Sequence, residues 1–145
     1  MLGLINIRNW ISKEQLQVID QALKGEEKDF FRDKLNEIEL LTHTMPKTYE
    51  TDGQGNEAIA QLHYFYGGSD WYITERDSSD EQIQAFGYAV LNLDMENAEL
   101  GYISIQELIY SGVELDLHWT PKTLREIRNQ KNEKPRGTTD GSYNG

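Results

Sequence analysis

The stretch Leu62-His63-Tyr64-Phe65-Tyr66-Gly67-Gly68-Ser69-Asp70-Trp71-Tyr72-Ile73-Thr74-Glu75 decides the fold. Two runs rich in aromatic and β-branched residues flank a Gly-Gly-Ser punctuation, the pattern of two strands folded on a tight turn. The first strand is read over Ala58–Tyr66, with Leu62, Tyr64 and Tyr66 on one face. The second returns over Asp70–Glu75, with Trp71 and Ile73 on one face and Tyr72 and Thr74 on the other. A period of two therefore rules this region.

Downstream the same period continues. After a polar loop, Arg76–Glu81, a third strand is read over Gln84–Asn92. There Phe86, Tyr88 and Val90 alternate with Ala85, Gly87 and Ala89, a small face that admits a closely packed helix. Leu100–Ile103 makes a short fourth strand, and Ser104-x-x-Glu107 is a capping box opening a short helix. Val113–Trp119 alternates most cleanly: Val113, Leu115, Leu117 and Trp119 point to the core, and Glu114, Asp116 and His118 point away. Thr120-Pro121 then starts a last helix, since proline at the first helical position loses no hydrogen bond. Leu124 and Ile127 anchor that helix, and residues 130–145 read as a flexible tail.

Upstream the period is 3.6. Ser12 caps a first helix with Gln15 three residues on, Leu16, Ile19 and Leu23 form its stripe, and Gly25 ends it. A second helix is read over Glu26–Leu41, with Phe31, Leu35 and Ile38 on one side. Residues 42–57, with Pro46, Gly53 and Gly55, form a connector. The pattern predicts an α+β fold: a mainly antiparallel, twisted sheet of about five strands, covering helices and an N-terminal helical hairpin. The expected divisions are the hairpin over 1–41, packed on the core, and the α/β domain over 58–129.

A chain of 145 residues is one domain's worth. The absence of cysteine excludes disulfides, thiolate metal sites and a cysteine nucleophile. No apolar run reaches the roughly 18–20 residues of a membrane span. The N-terminus meets charged and polar residues too early for a secretory signal, so a cytoplasmic location is expected. Charge is uneven. Residues 50–120 hold 14 Asp+Glu and one cation, Arg76, a net of −13, against −1 for 1–49 and +3 for 121–145. Such a segment repels phosphate backbones and attracts basic surfaces.

Chemical motifs are weak. Gly53-Gln-Gly55-Asn-Glu-Ala58 has dinucleotide-binding spacing, but no strand precedes it and no helix follows. The oxygen-rich stretch Asp52–Glu57 lacks the register of a calcium loop, with no acidic residue at its twelfth position, and Asp94, Glu96 and Glu99 make a second, weak candidate for a cation site against a reading as solvated turn carboxylates. His63, His118, Asp116 and Glu75 are the weak candidates for a metal site, the basis of an alternative reading as a metal-dependent hydrolase or nucleotide-binding protein. No spacing flags an activated nucleophile.

The ordered series His63-Tyr64-Phe65, Asp70–Glu75, Ala85-Phe86-Gly87-Tyr88, Glu99–Ser104 with Glu107-Leu108, Glu114–Leu117 and Trp119–Leu124 resembles the domain-of-unknown-function family 2958 over residues 58–127. Where that family has an acidic–basic–acidic run, this chain has Glu114-Leu115-Asp116. The resemblance implies a small α/β domain and an accessory protein of plasmids, integrating elements or phages in a bacterial cytoplasm. It brings no catalytic residue.

The leading expectation is a non-enzymatic protein that places its acidic surface on a basic, nucleic-acid-handling surface of a host or element protein, as a DNA-mimicking anti-defence inhibitor would. Glu75, Asp77, Asp94, Glu96, Glu99, Glu114 and Asp116 are its expected contacts, with Trp71 and Tyr72 as anchors. No cofactor, no membrane and no direct nucleic-acid contact are expected. A structural or assembly role in a phage particle is the remaining alternative.

Overall fold

The computed structural model describes residues 6–133. After a 3-10 turn at Asn6–Asn9 come two helices, α1 (Lys13–Ala22) and α2 (Lys28–Thr44). A second 3-10 turn, Gly55–Glu57, leads to strands β1 (Ile59–Ala60), β2 (Leu62–Tyr66), β3 (Ser69–Glu75), β4 (Ala85–Val90) and β5 (Glu99–Ile103). Helix α3 (Ile105–Tyr110), β6 (Glu114–Leu115), β7 (Lys122–Thr123) and helix α4 (Leu124–Glu133) complete the order. The main sheet runs β5-β4-β3-β2-β6, antiparallel throughout, and β1 pairs with β7 in a separate two-stranded ladder. The fold is α+β, with a five-stranded antiparallel sheet and N-terminal helices, as the alternation and the early helical stripe require.

The hairpin turns at Gly67-Gly68, which sets the register Tyr66 opposite Ser69 and His63 opposite Tyr72. Gly67 takes φ +56°, the positive value a two-residue hairpin loop demands. On one face of the sheet, Leu62, Tyr64, Ile73, Ala85, Ile103 and Leu115 form a core with Ile7, Trp10, Ile11, Ile19, Leu35 and Ile38 of the N-terminal segment. Tyr64 is fully buried there, and its hydroxyl donates to the Trp10 carbonyl oxygen. The N-terminal helices therefore share one core with the sheet. On the other face, Tyr72, Tyr88 and Val90 meet Ala58, Ala60, Leu124 and Ile127, so α4 covers the middle of that side. Main-chain and hydroxyl caps fall where the sequence places them: Ser12 Oγ accepts from Gln15 N at 3.1 Å, and Ser104 Oγ from Glu107 N at 3.2 Å.

Several elements differ from the sequence reading. The first strand divides at Gln61, so that β1 leaves the main sheet to pair with β7 while β2 stays on β3. Gly87 serves the strand beside it more than any helix: a Cβ there lies 1.9 Å from the Tyr72 carbonyl oxygen, next to the bulge between Ile73 and Glu75. The strand expected over Val113–Trp119 pairs only at Glu114–Leu115. The chain then turns, with Asp116 Oδ1 accepting the His118 amide at 2.9 Å. Trp119 consequently reaches the α4 side, where its indole N–H donates to the Ala60 carbonyl, while Leu117 packs on the opposite core. Gly25 does not take the left-handed cap; α1 closes on Leu23, and the link to α2 continues in right-handed turns. Helix α4 runs on to Glu133, through the start of the expected tail, and residues 134–145 lie outside the described residues. Among the described residues, no helix is long and apolar enough to cross a membrane.

Candidate functional site

The α4-facing side of the sheet carries the polar chemistry. Residues opposite one another in register share a face, so His63, Tyr72, Tyr88 and Leu100 form one row across β2, β3, β4 and β5. Phe65, Asp70 and Val90 form the next row, with Glu114 on the β6 side of Phe65. The third row holds Glu75, Phe86 and Tyr102.

At the β6 end, His63 stands between two carboxylates. Nε2 lies 2.7 Å from Asp70 Oδ1, and Nδ1 lies 2.9 Å from Asp116 Oδ2. The imidazole is stacked on Tyr72, with ring centroids 4.7 Å apart and planes 11° apart, and Trp119 tilts against it at 5.0 Å. Its side chain is only 12 % exposed, against 17 % for Asp70 and 24 % for Asp116. Each ring nitrogen has a carboxylate oxygen within hydrogen-bond distance. Both nitrogens are thus occupied, and neither is left over for a metal or a substrate. Burial, followed by the nearby Asp70, Tyr88 and Asp116, pushes the Tyr72 phenol well above its usual range. Lys122 Nζ sits 4.8 Å from the Trp119 ring centre, and the Arg128 guanidinium lies 4.5 Å over Tyr88. Arg125 Nε donates to Glu57 at 2.6 Å. The cations of the β7–α4 segment therefore gather over the middle and the His63 end of this face.

The four residues of the alternative metal site do not converge. His118 is drawn to α2, where it stacks on Phe30 at 5.3 Å. Glu75 is three residues along β3 from Tyr72, roughly 10 Å at strand rise. Its carboxylate is buried and accepts from Tyr49 N at 2.8 Å, from Thr51 N at 2.9 Å and from the Thr51 hydroxyl. Glu75 therefore fastens the connector to the sheet. No group of three or more His, Asp or Glu residues suited to a metal ion occurs among the described residues.

The expected acidic contacts are likewise divided. Asp77 holds its own loop, accepting from the amides of Ser79, Ile83 and Gln84. Asp94 closes a turn on Asn97, whose side chain and backbone N–H groups bond to it and lower its pKa. Trp71 lies on the helix side of the sheet, opposite Tyr64, and packs against that core. Tyr72 is on the other side, 4 % exposed, so neither aromatic is an open anchor. Glu114 and Asp116 belong to the His63 end, while Asp94, Glu96 and Glu99 lie at the β5 end. Asp70 is the site residue that the sequence reading passed over. The signal was available: a two-residue loop at Gly67-Gly68 sets Phe65 against Asp70 and leaves His63 diagonal to Asp70 on the same face.

The two margins of the sheet are treated differently. Along β6, the Gln15 side chain stands in for a neighbouring strand. Its amide nitrogen donates to the Leu115 carbonyl at 2.8 Å, and its oxygen accepts the Leu115 N–H at 2.9 Å. This use of Gln15 replaces the return bond to Ser12 that a capping box would make. Along β5, no further strand of the described residues pairs beyond Glu99–Ile103. Glu99, Leu100 and Tyr102 are exposed there, and the Tyr102 hydroxyl meets that of Tyr49.

Fold and site together define an α+β protein whose sheet packs a core on each face, with a histidine–carboxylate cluster toward one sheet margin and, at the other, an acidic edge that no described residue pairs. The family described as "Protein of unknown function (DUF2958)" matches residues 34–125, and the chain belongs to that family. The match begins inside α2, and so takes in part of the helical segment and the connector that the residue-by-residue resemblance left aside. No curated protein and no solved structure matches the chain.

Proposed function

We propose that this chain is a non-enzymatic, acidic binding protein that occupies a basic surface of a partner protein, where a nucleic-acid backbone would otherwise lie. The observation that carries the reading is the fate of the cations. From Asp77 to Pro121 there is no lysine or arginine. Arg76, just before, is turned to the carbonyl oxygens of Met45 and His43, at 3.0 and 3.1 Å. The exposed carboxylates of Glu96 and Glu99 thus have no cation from this stretch to neutralise them, and Asp94 beside them is held in its charged form by Asn97. A partner's lysines and arginines would supply that neutralisation, with affinity that falls steeply as salt rises.

The finer form of the reading makes the chain a nucleic-acid mimic with an anti-defence role on a phage or plasmid, acting in the bacterial cytoplasm. The family resemblance set out above supports that setting. The test is capture of partners from bacterial lysate on the immobilised full chain, followed by a salt series and by competition with duplex DNA. A retained basic protein that is released by raised salt and displaced by DNA fits the reading. Retention indifferent to both would overturn it.

A further inference from the structure

The β5 margin has features of a receiving edge for one more strand. A strand at the end of a sheet leaves every second N–H and C=O without a partner. No hydrogen bond from another described residue reaches the outer side of Glu99–Ile103. The opposite margin shows that this chain closes an edge by side chain where it closes one at all, through Gln15 on Leu115. Among the described residues, the β5 main chain has no such cover.

A strand laid on β5 would send its side chains alternately to the two faces. Each face offers a cavity beside the edge. On the helix side, a cavity of about 390 Å³ is lined by Ala89, Leu91, Asn92, Asp94, Asn97 and Glu99. On the α4 side, one of about 330 Å³ is bounded by Leu100, Phe86 and Thr74 together with Asp52 and Glu75. The exposed carboxylates are those of Asp94 and Glu99 at the first cavity and Asp52 at the second, since Glu75 is buried and taken up by Tyr49 and Thr51; neither cavity is lined by a lysine or arginine. On the α4 side stand the apolar surfaces of Leu100, which lines the second cavity, and of Tyr102, 39 % and 54 % exposed. The lining thus asks for basic side chains on both faces of an extended segment, with an apolar residue to cover Leu100 or Tyr102.

We infer that β5 accepts, by strand addition, an extended basic segment of a partner protein. This inference rests on the acidic-binding reading and names its mode: main-chain hydrogen bonds supply register and affinity, and the flanking carboxylates select lysine and arginine. A second copy of this chain is a poorer occupant. It would bring Glu99 and a net charge of −11 against the same acidic edge.

The test uses the full chain, isotope-labelled, and a nine-residue peptide alternating lysine with valine. Three control peptides are compared: glutamate in place of lysine, N-methylation of alternate amides along one edge, and N-methylation along the other. The expected result is that amide shifts and hydrogen-exchange protection appear at Glu99–Ile103 with the lysine peptide. The glutamate peptide should bind at least tenfold more weakly, and one of the two N-methylated peptides should lose binding while the other keeps it. The exposed substitution Glu99→Lys should weaken the lysine peptide at least threefold. Binding that maps to β6, or that ignores N-methylation on both edges, overturns strand addition while leaving the acidic-binding reading intact. No binding by any basic peptide at low salt overturns both. Self-association through β5 in sedimentation, unaffected by peptide, assigns the edge to a second copy and also overturns the inference.

Discussion

The two margins of the five-stranded sheet solve the same problem in opposite ways. At β6, a glutamine side chain from α1 occupies both main-chain groups of Leu115, and a histidine between two carboxylates ties β2, β3 and the post-β6 turn together. Lys122 lies on the Trp119 ring beside that histidine, whereas Arg128 lies over Tyr88 of β4, the strand next to β5. At β5, no described residue bonds to the outer side of the main chain, and the stretch from Asp77 to Pro121 holds no lysine or arginine to meet the nearby carboxylates. The lesson is that net charge alone does not locate a surface. Acidic residues of this chain act as internal acceptors at Glu75, Asp77 and Glu39, as members of a bonded cluster at Asp70 and Asp116, and as open charge near β5, at Glu114 and at exposed positions elsewhere such as Glu81 and Glu107.

That contrast can be broken in graded ways. The largest effect is expected at alkaline pH. Burial pushes the Tyr64 phenol well above its usual range, and Tyr72 is raised in the same direction at the His63 end. Both phenols stay neutral in the fold but ionise near pH 10 once unfolded. Stability is then complete below about pH 10 and falls by about 1.4 kcal/mol per pH unit above it for a phenol held neutral like Tyr64. Urea midpoints measured across that range should drop, and Tyr64→Phe should flatten the drop. A midpoint constant through the alkaline range would contradict the burial of both rings.

Next comes His63→Ala. It removes the imidazole that bonds both Asp70 and Asp116, and should cost about 2–3 kcal/mol, below the roughly 3–5 kcal/mol of breaking a fully buried pair because the site keeps some solvent. Gln15→Ala should cost about 1–2 kcal/mol, since it strips both partners from Leu115; thermal unfolding measures it. At the other margin, Glu99→Gln should move stability by less than about 0.5 kcal/mol, as exposed substitutions do. A loss at Glu99 equal to that at Gln15 would erase the distinction between the edges.

Much of the frame is legible in the residues themselves. The Gly67-Gly68 turn, the Ser12 and Ser104 caps and the alternation of β2 to β4 depend on local rules, and they appear where those rules place them. The failures have a common cause. Val113–Trp119 alternates well enough to be a strand, but Asp116 bonds to the His118 amide and to His63 and turns the chain. Those are tertiary partners, which periodicity cannot register. Glu75 reads as an open carboxylate because its three donors arrive from the connector at Tyr49 and Thr51. Gln15 reads as half of a capping box because the strand that claims its amide lies 100 residues away. The His63–Asp70 contact, by contrast, follows from the hairpin register alone, and was within reach.

Amide hydrogen exchange on the free protein tests the contrast between the margins most directly. Alternate amides within Glu99–Ile103 should exchange near the rate of an unstructured chain, while the Leu115 amide, held by Gln15, is protected and loses that protection in Gln15→Ala. Strong protection at every amide of β5, or a Leu115 amide that exchanges freely in the unaltered chain, would contradict the account.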